Sequence, residues 1–183
     1  CALVMEPGFS LVLDAGFGFA GLDAYIDADL PVYLFLSHFH LDHTVGLHTL
    51  AKYRFNAGLK IFGQPGTRHN LFSLLGSPFS IPPDQFAYPI EIHELPEGQD
   101  TLPFRVSALP LVHADPCLGF RFELPGGKVL TYCTDTGYTE NAVRLARGAD
   151  LLVTECSLLP GVTDDGWPHL NPELAARIAF EAG

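Results

Sequence analysis

A chain of 183 residues with 48% hydrophobic and 17% charged side chains has the balance of one packed domain, which excludes a disordered segment. Lys and Arg total 10 against 21 Asp and Glu, a formal charge of −11; a phosphate backbone is normally held by Lys and Arg, so extended nucleic acid is excluded as a partner. No run approaches the roughly 20 apolar residues of a membrane-spanning helix, and the opening residues lack a secretory signal pattern, so no membrane partner is expected and the expected location is the cytoplasm.

In chain order, Ala2 to Met5 and Ser10 to Leu13 read as a hairpin around Pro7-Gly8, leading into the turn Asp14-Ala15-Gly16. Leu22 to Ala28 is predicted as a short helix. Val32 to Leu36 is an apolar run of strand length that stops at Ser37-His38-Phe39-His40. Beyond it, Val45, Leu47, Leu50 and Ala51 carry helical spacing through Tyr53. Lys60 to Phe62 reads as a strand, Thr67 to Leu75 as a helix closed by Gly76, and Pro78, Pro82, Pro83 and Pro89 as a loop. Ile90 to Leu95 and Phe104 to Leu109 are predicted to pair antiparallel, followed by strands over Gly119 to Leu124 and Val129 to Tyr132 joined by Pro125-Gly126-Gly127. Thr139 is the expected N-cap of a helix through Arg147, Leu151 to Thr154 a buried strand, and Asn171-Pro172-Glu173 the capped start of a last helix. Strand and helix alternate with hairpins, and no linker or repeat interrupts them. The expectation is a single layered α/β domain over residues 1–183 with a mixed sheet.

Cys1 stands within a strand-like run and Ala179 to Gly183 finish a helix, so the chain is expected to be a piece trimmed at both ends. Cys1, Cys117, Cys133 and Cys156 form no C-x-x-C pair, which fits neither a disulfide scaffold nor a cysteine zinc knuckle.

The sharpest pattern is His38-x-His40-x-Asp42-His43, placed where a strand turns into a helix. His38 and His40, two apart on an extended turn, can converge on one point, and Asp42 with His43 on a second nearby. Imidazole and carboxylate donors suit zinc, iron and manganese, and the tight spacing makes a preformed chelate. His113 and Asp135 also follow strand-like runs, where α/β folds collect functional groups, and a carboxylate can bridge two ions. Taken alone, His113 also reads as a solvent histidine and Asp135 as a turn or cap residue. His48, His69 and His93 lie away from these residues with no partner expected, and Trp167, in the acidic loop Thr163 to Gly166, could line a substrate pocket but beside Pro168 reads first as loop packing.

Together, SHFHLDH, the lone His113 and TDTG at Thr134 to Gly137 resemble the metallo-β-lactamase superfamily of metal-dependent hydrolases, over nearly the whole chain. LDAG at Leu13 to Gly16, TECS at Thr154 to Ser157 and HLNPELAA at His169 to Ala176 look most like its ribonuclease Z and cyclic-nucleotide phosphodiesterase branch. The resemblance implies an αββα sandwich with mixed sheets and a site of two zinc ions, with Mn2+ or Fe2+ as substitutes. It assigns His38, His40 and His113 to the first ion, Asp42 and His43 to the second, and Asp135 between them. It makes Glu155 and His169 a paired carboxylate and imidazole beside the metals, and it is compatible with a homodimer. The family's further His, on a strand after the helix that here ends at Gly183, has no counterpart in this sequence. Ribonuclease Z enzymes also carry a long insertion that grips transfer RNA, where this chain has only Pro125-Gly126-Gly127-Lys128.

The function so implied is hydrolysis of a small-molecule phosphodiester by a hydroxide formed at the metals, with Asp42, His169 and Glu155 as the catalytic groups and His169 protonating the leaving alkoxide. Two alternatives stand beside it: hydrolysis of a thioester, lactone or β-lactam by the same hydroxide, and a non-catalytic metal-binding protein of the same fold.

Overall fold

The computed structural model describes residues 1–183. Its backbone divides into two compact units, Cys1–Gly98 and Gln99–Gly183.

In the first unit, β1 (Ala2–Glu6) and β2 (Phe9–Leu13) form the expected hairpin, with Glu6 opposite Phe9. β3 (Val32–Phe35), β4 (Leu59–Gly63) and β5 (Ile90–Glu94) then add in parallel, giving the order β1-β2-β3-β4-β5. β2 and β3 are buried at every position, which is why they read as continuous apolar runs without alternation. Val12, Leu34 and Ile61 from the strands pack with Leu47, Leu50, Phe55 and Leu71 in one core cluster.

The connections differ from their expected form. In place of a helix over Leu22 to Ala28, a 3-10 helix spans Phe17–Ala24 and buries Phe19 and Leu22; their spacing of three matches the 3-10 repeat. The segment after His40 is not one helix either: α1 covers only Leu41–Thr44 and a 3-10 helix continues over Val45–Lys52. The hydroxyls of Thr44 and Thr49 donate to the carbonyls of His40 and Gly46 at 3.0 and 2.6 Å, and such side-chain bonds compete with a regular helix. α2 (Thr67–Leu74) forms as expected.

In the second unit, β6 (Arg105–Pro110), β7 (Leu118–Glu123) and β8 (Val129–Cys133) run antiparallel in succession, and β9 (Leu151–Thr154) lies parallel to β8. The β7–β8 turn is closed by Leu124 N donating to Lys128 O at 2.8 Å, with Gly126 and Gly127 at φ 85° and 82°, a region that favours glycine. α3 (Glu140–Ala146) links β8 to β9, and α4 (Pro172–Ala182) ends the chain. Both helices start on the expected caps: the Thr139 side chain accepts from Asn141 N and the Asn171 side chain from Leu174 N. Val143, Leu145 and Ile178 pack with Leu111, Cys117 and Cys133 in the core.

Two expectations about pairing and burial are corrected. Ile90 to Leu95 does not pair with Phe104 to Leu109: the first lies parallel to β4, and Leu95 N donates to Gly63 O at 2.8 Å, while the second pairs with β7. The link between them, with its 3-10 turn over Gln99–Thr101, is not a tight hairpin turn, so nothing local forces antiparallel closure. β9 is an edge strand with Leu151 57% exposed, because β8 covers only one of its sides.

Candidate functional site

The half-site of the first unit is built where β3 ends. Asp14 follows β2 in a left-handed conformation, φ 55°, which Asp tolerates better than most residues. Its buried carboxylate, 1% exposed, reaches across to the next strand end. Oδ1 accepts from Ser37 N at 2.7 Å, Oδ2 accepts from Ser37 Oγ at 2.8 Å, and Oδ2 also meets His43 Nδ1 at 2.9 Å. Ser37 Oγ, having donated to Asp14, accepts from His38 Nδ1 at 3.0 Å. One carboxylate therefore fixes Nδ1 as the protonated nitrogen in two imidazoles, which makes Nε2 their metal-binding atom.

The rings of this segment are close: His38 to His40 is 4.6 Å and His38 to His43 is 4.2 Å between centroids. Asp42, in the first turn of α1 and 66% exposed at its side chain, lies 3.4 Å from His43 Nε2. Main-chain contacts clamp α1 against the turn after β2: Ala15 N donates to His43 O at 2.7 Å, and Gly46 N to Ala15 O at 2.8 Å. The clamp needs glycine on both sides. A Cβ on Gly16 would lie 2.2 Å from Asp42 O, and one on Gly46 would lie 2.4 Å from Gly16 O.

The half-site of the second unit stands at the ends of β6, β8 and β9. An isolated bridge joins Val112 to Gly137, with Gly137 N donating to Val112 O at 2.7 Å and Val112 N to Thr136 Oγ1 at 3.2 Å. The bridge holds the segment carrying His113 beside the segment carrying Asp135. Asp135 has φ 43°, and its Oδ1 accepts from Thr134 Oγ1 at 2.8 Å. Glu155, just past β9, accepts from Thr136 N at 2.6 Å and from Ser157 N at 3.1 Å. Its Oε1 also meets His169 Nδ1 at 2.6 Å, with both side chains nearly buried. The carboxylate makes Nδ1 of His169 the protonated nitrogen and gives Nε2 the remaining chemistry. The His169 ring lies 5.2 Å from that of His113 and 4.3 Å from that of Trp167.

The donor sets suit a divalent ion. His38 with His40, Asp42 with His43, and His113 with Asp135 each bring ligand atoms within 4.8 Å of one another. Two ligands bonded to one ion at about 2.0–2.2 Å lie at most roughly 4.4 Å apart, so small side-chain rotations would bring such pairs onto one ion. Imidazole with carboxylate selects zinc, iron or manganese over calcium or magnesium. His48 and His69 stay exposed, as expected of residues outside the site. His93, expected to lack a partner, instead stacks on Phe62 at 4.8 Å and meets Glu91 Oε2 at 3.2 Å.

A family model described as "Beta-lactamase superfamily domain" matches residues 10–183. The chain belongs to the beta-lactamase superfamily. Among curated relatives it is 27% identical over 207 residues to "Ribonuclease BN" of Cronobacter sakazakii, covering 82% of this chain and 67% of that one. It is 26% identical over 199 residues to "Probable metallo-hydrolase YhfI" of Bacillus subtilis, covering 99% of this chain and 74% of the relative. The crystal structure of YhfI superposes with a TM-score of 0.77 at 25% identity over 99% of this chain and 73% of that one. Human tRNase Z, short form, superposes with a TM-score of 0.76 at 22% identity over 98% of this chain and 80% of the human one, a likeness of fold. The chain thus spans about two thirds to three quarters of the length of these curated relatives.

The family model shows the superfamily, and ribonuclease BN and YhfI are similar to this chain at 27% and 26% identity. The superfamily is one of metal-dependent hydrolases, and this chain carries His and Asp donors that could hold a metal ion. No helix is long and apolar enough to cross a membrane.

Two residues of the site escape the motif. Asp14 was visible in a turn and within the LDAG segment but received no role, because its partners lie 23 and 29 positions further on. Trp167, expected as loop packing, rests on His169 with 52% of its surface exposed.

Proposed function

We propose that this member of the superfamily is a metal-dependent phosphodiesterase acting on a small phosphodiester. In this reading His38, His40 and His113 would hold one ion, Asp42 and His43 would hold a second, and Asp135 would contribute its carboxylate to the pair. The metal is zinc, with Mn2+ or Fe2+ able to replace it. When bound, such ions lower the pKa of a coordinated water and neutralise charge on phosphate oxygens.

The observation that carries the reading is the buried Glu155–His169 pair at 2.6 Å, placed in the same unit as His113 and Asp135. An alkoxide leaving group needs a proton as the ester bond breaks, whereas a thiolate leaves without one. His169 supplies that proton from Nε2. Glu155 holds the ring through Nδ1, which leaves Nε2 as the nitrogen that gives up the proton. Asp14 and Ser37 keep His43 and His38 in the tautomer whose Nε2 can bind metal.

A small substrate is favoured over transfer RNA by the charge of −11 and by the short turn between β7 and β8. That ribonuclease BN and tRNase Z are among the relatives supports phosphodiester chemistry in this branch. The test is turnover of bis(p-nitrophenyl) phosphate, a thioester and nitrocefin by the zinc- or manganese-loaded protein. The diester is expected to be hydrolysed fastest. Preference for the thioester or nitrocefin would transfer the reading to carbonyl substrates, and inertness toward all three would favour a non-catalytic metal-binding protein.

A further inference from the structure

Trp167 is the single tryptophan of the chain and lies in the loop between β9 and α4. The loop is held at several points. Asp164 Oδ1 accepts from Gly166 N at 2.9 Å and from Trp167 N at 3.1 Å, and Asn171 Nδ2 donates to Val162 O at 2.9 Å. Leu158 N donates to Leu170 O at 3.0 Å, closing the base of the loop. Pro168 is seated on Gly137, where an added Cβ would lie 3.2 Å from the Pro168 Cβ. These bonds fix the indole with its ring centroid 4.3 Å from that of His169, inclined by 59°.

A tryptophan used for packing alone hides most of its surface, yet 52% of Trp167 faces solvent. The loop carries no Lys or Arg. It carries Asp164 and Asp165, which repel a phosphate, so the group suited to this face is an uncharged flat ring. We infer that the exposed indole of Trp167 is a stacking face for an aromatic ring borne by the substrate on its leaving side, so that nucleoside or aryl phosphoesters are preferred over sugar or alkyl ones. The leaving side follows from the contact with His169 and rests on the phosphodiesterase reading, in which His169 protonates the departing oxygen.

Because no other tryptophan contributes, emission excited beyond the tyrosine band reports this face directly. The metal-loaded protein is titrated with adenosine 5′-monophosphate, phenyl phosphate and ribose 5-phosphate. The two aromatic probes are expected to quench emission to saturation while ribose 5-phosphate leaves it unchanged. Which aromatic probe binds more tightly separates a nucleoside from an aryl substrate. By calorimetry, Trp167→Ala is expected to lower the affinity ratio of adenosine 5′-monophosphate to ribose 5-phosphate by about tenfold, and Trp167→Phe to keep most of it. Equal quenching by all three probes, no quenching by the aromatic ones, or an unchanged ratio in Trp167→Ala overturns the inference. Should the alanine variant fail to fold by circular dichroism, the wild-type titration and the phenylalanine variant still decide. Hydrolysis of bis(p-nitrophenyl) phosphate without ring-dependent quenching would sink stacking alone. Ring-dependent quenching without hydrolysis of any phosphodiester would sink the phosphodiesterase reading alone.

Discussion

Replacing Asp14 with Asn tests the tautomer argument with the least collateral change. Asn tolerates the left-handed backbone that Asp14 adopts at φ 55°, so no new strain enters, whereas Ala would add some. The amide keeps one acceptor oxygen, which can stay on Ser37 N, formerly 2.7 Å from Oδ1. Its NH2 group then faces Ser37 Oγ and His43 Nδ1, where Oδ2 had met them at 2.8 and 2.9 Å. A donor opposite Nδ1 drives the His43 proton to Nε2, the atom assigned to metal. Loss of a carboxylate that orients a ligand typically weakens metal affinity by about 10- to 100-fold. Exchange of one charge-assisted hydrogen bond for a poorer one costs about 2 kcal/mol, or roughly 4–8 °C in melting temperature for a chain of this size. Competition against a chromophoric chelator gives the first quantity and thermal unfolding of the metal-free protein the second. Wild-type metal affinity in a variant that still shows the stability loss would refute the argument, because Asp14 would then be a structural residue that leaves the imidazoles untouched.

Three further outcomes are expected. His169→Ala should depress kcat on a phosphodiester with an alkoxide leaving group by about a hundredfold, and on bis(p-nitrophenyl) phosphate far less, with metal content near wild type by plasma mass spectrometry; lost metal would make His169 a ligand and remove it as proton donor. Gly46→Ala, whose Cβ would meet backbone oxygens of Gly16 and Ala15 at 2.4 and 2.7 Å, should destabilise the chain by about 1–3 kcal/mol in denaturant titration and weaken metal binding with it. Burial disfavours the thiolate of Cys133 and raises its pKa to about 12, so this thiol stays protonated at pH 8. Since Cys117 is also buried while Cys1 and Cys156 are exposed, alkylation of the native protein at pH 8 should add two labels by mass, and alkylation in denaturant four.

The parts of the site legible in the sequence are those whose cause is local. His38, His40, Asp42 and His43 stand out because the apolar run of β3 stops abruptly and the donors follow within one turn. The caps Thr139 and Asn171 were readable for the same reason, a side chain serving a backbone group two or three residues away. What stayed hidden is decided by distant chain. β5 takes its partner from β4 rather than from its successor. The 3-10 helix after His40 includes Gly46, which packs closely on Gly16, 30 positions earlier in a turn that shows no sign of it. The half-exposed setting of Trp167 depends on where Asp164 and Asn171 anchor the loop, and a composition of acid, glycine and proline is equally consistent with plain packing.

Glu155 touches two things at once, the amide of Thr136 next to Asp135 and the ring of His169. These three positions are therefore expected to be kept or lost together. A descendant that loses the acid loses both the seat of its neighbouring aspartate and the reason to keep an imidazole at 169. Among relatives of this chain, the acid and the imidazole should disappear together, and a lineage retaining only one of them should have moved to substrates whose leaving group departs without a proton.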